Sequence, residues 1–93
     1  MNRIYSIQYD LLLAPGRDYT RLIEAIKSLG TTWAKPLLSC FVIVSSLSAT
    51  QIRDALIPHV DKNDKLLVMQ AGPDWAARNL APEVAEWFKK QVG

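Results

Sequence analysis

Arg3-Ile4-Tyr5-Ser6-Ile7-Gln8-Tyr9-Asp10 is the stretch whose reading decides the fold. Its β-branched and aromatic residues favour an extended strand, and side chains of a strand alternate between faces. Tyr5, Ile7 and Tyr9 therefore line one side, an apolar face fit for a core. Ile4, Ser6, Gln8 and Asp10 line the other, which is amphipathic and ends in a carboxylate. A partner, a metal or a substrate finds a foothold on such a face.

Downstream, Pro15-Gly16 marks a turn and Asp18 is placed to N-cap a helix over residues 18–29, with Gly30 as its left-handed terminator. Tyr19, Leu22, Ile23, Ile26 and Leu29 form its apolar stripe, leaving Arg17, Arg21, Glu24 and Lys27 outward. Residues 31–38 read as a strand that Pro36 confines to an edge, because proline cannot donate to a ladder. Residues 39–45 hold the unbroken run Cys40-Phe41-Val42-Ile43-Val44, the pattern of a central strand buried on both faces.

Ser48 and Gln51 are spaced as a capping box, with Leu47 placed to staple against Ile52. The helix that follows presents Ile52, Ala55 and Leu56 inward and closes near Pro58-His59. Asp61-Lys62-Asn63-Asp64 is a polar turn before the last strand, residues 65–70. Gly72-Pro73 breaks that strand, and a loop holding Trp75 leads to a final helix with Pro82 at its first position. Val84, Trp87, Phe88 and Val92 are its expected buried stripe.

This order predicts a single α+β domain over residues 1–93, a ferredoxin-like βαββαβ antiparallel sheet of order 4-1-3-2 with an added C-terminal helix. The last strand is then an edge, yet it is apolar on both faces. Either the Trp75 loop and final helix of the same chain cover it, or the same elements of a second copy do.

A chain of 93 residues with a 49% hydrophobic share and three Trp carries more apolar surface than one small domain conceals, which points to a homodimer. The net charge of +2 is far from the dense basic surface of a committed nucleic-acid binder. One cysteine and no secretion-signal pattern suggest a cytoplasmic, reduced setting, and Leu11-Leu12-Leu13-Ala14 is much too short to span a membrane.

Asp10 is the sharpest candidate for chemistry. A carboxylate ending a central strand can bind Mg²⁺, and two copies facing across a two-fold axis would bring two carboxylates together. A strand-end or turn role is the plainer alternative. His59 lacks companions for a zinc site, and Cys40 in an apolar strand reads as an inert small hydrophobe. The turn of Asp61 and Asp64 lacks the downstream Gly and Glu of a calcium loop.

Tyr9-Asp10, Pro15-Gly16 leading into Ile23-Glu24-Ala25-Ile26-Lys27-Ser28-Leu29-Gly30, Ser39-Cys40-Phe41-Val42, and Asp61-Lys62-Asn63-Asp64-Lys65-Leu66-Leu67-Val68 together resemble a known family. It is the second of the small CRISPR-associated adaptation proteins, an endoribonuclease family, and in particular its stand-alone SinR-like relatives. The resemblance implies a ferredoxin-like homodimer with Asp10 near the two-fold axis as the catalytic and metal-binding residue of a weak Mg²⁺-dependent nuclease on RNA or DNA. The alternative is a non-catalytic homodimeric scaffold for nucleic acid or protein, with an adaptation or toxin–antitoxin protein as partner. Arg17, Arg21 and Lys35 are the expected basic cleft for nucleic acid. The chain departs from the family at Pro36 and Leu37, and it has the Trp75 loop and a helix where the family has a further strand.

Overall fold

The computed structural model describes residues 2–12 and 19–92. In chain order the elements are β1 (Arg3–Asp10), α1 (Thr20–Leu29), β2 (Thr32–Leu37), β3 (Cys40–Ser45), α2 (Ala49–Leu56) with a 3₁₀ turn (Ile57–His59), β4 (Lys65–Gln70) and α3 (Pro82–Gln91). The strands form one antiparallel sheet in the order β2-β3-β1-β4.

The alternation of β1 divides the sheet into two different faces. Tyr5, Ile7 and Tyr9 are buried, and with Phe41 and Ile43 of β3 they meet Leu22 and Ile26 of α1 and Ile52 and Leu56 of α2 in one core. β3 is buried at every position. The Ser48 hydroxyl accepts the Gln51 N–H (3.1 Å) while the Gln51 carboxamide accepts the Ser48 N–H (2.9 Å), closing the capping box that starts α2. Leu47 packs against the core that holds Ile52.

Three local expectations are corrected. Gly30 is extended (φ −118°, ψ 163°) and is not a left-handed cap. Glycine stands there because a Cβ would meet the Val44 carbonyl oxygen at 2.8 Å and the Ile43 Cβ at 2.9 Å, so the chain entering β2 presses directly on β3. Ala55 is exposed, since Ile52 and Leu56 alone fill the inward stripe of this short helix. Val84, Trp87, Phe88 and Val92 are only half-buried, because α3 lies at the rim of the sheet with solvent beside it. The expected turn at Pro15-Gly16 and the Asp18 cap lie outside the described residues; α1 begins at Thr20.

The path of the C-terminal segment answers the question of the apolar last strand. After β4 the Ala71 N–H donates to the Ile4 carbonyl (2.8 Å), and the chain then returns to the opposite edge. There α3 packs on β2, the Trp87 indole N–H donating to Thr32 Oγ1 at 2.9 Å. Trp75 packs on Phe88 with ring centroids 5.1 Å apart. Loop and helix thus cover β2, and β4 stays an edge with Leu67 52% and Met69 49% exposed.

Candidate functional site

Asp10 is the last residue of β1, exposed, on the sheet face away from α1 and α2. Its register partner on β4 is Lys65. The two sit at the mouth of a shallow pocket of about 240 Å³, with Gln8, Tyr9, Leu66 and Leu67. Gln8 does not turn toward Asp10; its amide donates to Ser6 Oγ (3.1 Å), which lies 3.5 Å from Cys40 Sγ. That chain of polar groups floors a second cavity of about 480 Å³, bounded by Leu37, Val42 and Phe88.

Tyr9 ends the core face of the same strand. Burial, and secondarily the neighbouring Cys40 thiol, raises its phenol above the ordinary value of 10.0.

Lys35 reaches over the Phe41 ring (5.6 Å), on the helix-covered side of the sheet, and Lys27, expected outward, is half-buried over Trp33 (4.3 Å). Arg21 is exposed on α1. Arg17 lies outside the described residues. Lys65 is the cation the ladder sets against Asp10, and the sequence holds no cue for it because the pairing joins distant segments.

Mg²⁺ favours a near-octahedral shell of oxygen ligands, with one or two carboxylates, water and substrate phosphate. Asp10 has Lys65 as its register partner, and among the described residues no group of three His, Cys, Asp or Glu could hold a metal ion. Asp10 supplies one carboxylate per chain, so water, substrate phosphate or the carboxylate of a second chain would complete the shell.

Among the described residues, Asp64 is the carboxylate that accepts from the most distant partners. Its Oδ1 accepts the Leu12 N–H (2.8 Å) and its Oδ2 accepts the Asp61 N–H (2.7 Å) and the Tyr19 hydroxyl (3.0 Å). It ties the exit of β1, the start of α1 and the turn before β4 into one knot. The sequence marks it only as part of a turn, since Leu12 and Tyr19 lie far away along the chain.

Comparison with protein-family models, with curated proteins and with solved structures returned no match. Among the described residues no helix is long and apolar enough to cross a membrane.

Proposed function

We propose that the chain is a non-catalytic homodimeric scaffold of the ferredoxin-like βαββαβ type, related to the CRISPR-adaptation proteins it resembles. The observation that carries this reading is the uncovered flank formed by β4 and the adjoining half of the second sheet face, where Leu67 and Met69 are about half exposed beside Ile4, Ser6 and Gln8. A small domain gains by burying such a surface against a second copy. Any contact with RNA or DNA is then weak, sequence-independent and sharply reduced by salt, as a net charge of +2 dictates.

A second reading keeps Asp10 as the centre of a weak Mg²⁺-dependent nuclease. It draws on the exposed carboxylate at the end of β1, and it requires the Asp10 residues of two copies to meet. The two readings separate in one experiment: light scattering at micromolar concentration, then melting with and without Mg²⁺ for wild type and Asp10→Asn. The scaffold reading expects a dimer whose melting temperature Mg²⁺ leaves unchanged in both proteins. The nuclease reading expects stabilisation of about 2.7 kcal/mol at a hundredfold excess of ion over its dissociation constant, lost in Asp10→Asn together with phosphodiester cleavage. A monomer overturns both.

A further inference from the structure

We propose that two copies join edge to edge through β4, antiparallel about a two-fold axis at Val68, to make one continuous eight-stranded sheet. This inference rests on the homodimer reading and adds to it which surface pairs and in which register.

The ladder already in place sets the hydrogen-bonding parity of β4. The Ala71 N–H points to Ile4 of β1, so Leu67 and Met69, of the same parity, also turn their backbone groups inward. Leu66, Val68 and Gln70 turn theirs outward, where the described chain has no further strand. An antiparallel pairing centred on Val68 matches Val68 to its own copy and Leu66 to the partner's Gln70, so every outward group of the strand finds a complement. The same register sets Leu67 directly across from the partner's Met69, twice, on the face where both are half exposed. These are the non-hydrogen-bonded positions, at which facing side chains come closest.

Charge permits this pairing as well. Lys65 falls opposite the partner's Ala71, away from its own copy. Arg53 of α2, which borders the strand in a groove with Ala49 and Thr50, is held by Asp54 at 2.9 Å, so the flanking helices bring no uncompensated charge to the axis. β4 also lacks the features that keep edges apart: it has no proline, no bulge and a lysine only at one end. The groove of Ala49, Thr50 and Arg53 beside α2 flanks the strand and is the further surface that such a pairing would bury toward the ~1,200 Å² of a standard interface.

This geometry has a consequence for Asp10. With strands about 4.8 Å apart and a rise of about 3.4 Å per residue, the two Asp10 Cα atoms stand about 25 Å from one another, too far to share an ion.

The test is oxidative cross-linking of Leu67→Cys/Met69→Cys, with the disulfide located by peptide mapping, beside light scattering of wild type and Leu67→Lys. Facing non-hydrogen-bonded positions lie about 4.5 Å apart at Cα, within disulfide reach. The double variant is expected to link through residues 67 and 69. Leu67→Cys alone is expected not to link, its two copies lying about 8 Å apart in this register. Leu67→Lys, at a position already exposed in one chain, keeps the circular dichroism of wild type and raises the dissociation constant at least about tenfold by placing an ammonium against Met69. A dimer that neither links in the double variant nor responds to Leu67→Lys overturns the edge pairing and leaves the homodimer reading standing. Linking through Leu67→Cys alone overturns the axis at Val68. A wild-type monomer overturns the homodimer itself, leaving the edge to a strand of another protein.

Discussion

The two edges of this sheet are treated in opposite ways. β2 carries Lys35 and Pro36, breaks its register with β3 between Ala34 and Leu37, and lies under α3. β4 runs in unbroken register with β1 and leaves Leu67 and Met69 half exposed. Each feature of β2 removes a donor, bends the strand or sets a charge against an incoming chain. One edge is thus blunted and covered by the chain's own helix, and the other is left unbroken and apolar.

The contrast breaks first at Trp87. Its indole holds α3 to Thr32 and packs edge-on against Phe88. Trp87→Ala is expected to cost about 2–3 kcal/mol, at or below the usual range for a large aromatic because the side chain is only half-buried. Chemical denaturation reads that loss. Light scattering should show larger aggregates as well, since the second edge is then uncovered too.

A smaller effect is expected at the other edge. Asp64 organises the turn that launches β4, and Asp64→Ala leaves the Leu12 and Asp61 N–H groups without their acceptor. The expected loss is about 2 kcal/mol, because the site is half-exposed and water replaces part of what is lost. Hydrogen exchange should show residues 65–70 opening more often, while β2 keeps its protection.

The smallest effect is a pH dependence at Tyr9, whose register partner on β4 is Leu66. Its phenol is raised above 10.0 in the folded state, so the unfolded chain loses that proton first as pH climbs. Stability from this group is therefore intact below pH 10 and declines as pH rises through the folded value. Tyr9→Phe should flatten the alkaline limb of a melting-temperature profile and leave the neutral range unchanged.

What the sequence reveals, and what it hides, follows how far a cause acts along the chain. The alternation of β1, the unbroken burial of β3 and the Ser48–Gln51 box depend on neighbours within a few residues, and each is legible in the order of the amino acids alone. Gly30 reads as a helix terminator until β3 is seen against it. Asp64 reads as turn polarity until Leu12 from the exit of β1 and Tyr19 from the start of α1 arrive against it. The candidate site shows the same limit: Asp10 stands out at the end of its strand, while Lys65 opposite it is chosen by the register of β1 with β4.

The return of the chain from β4 to α3 also separates the sheet from its cover. All four strands and both helices of the core precede residue 71, so the sheet holds every strand it needs without the helix that shields β2. A sheet formed ahead of the docking of α3 leaves β2 without its cover, and Lys35, Pro36 and the break in register are then what stand between β2 and the edge of a neighbouring chain.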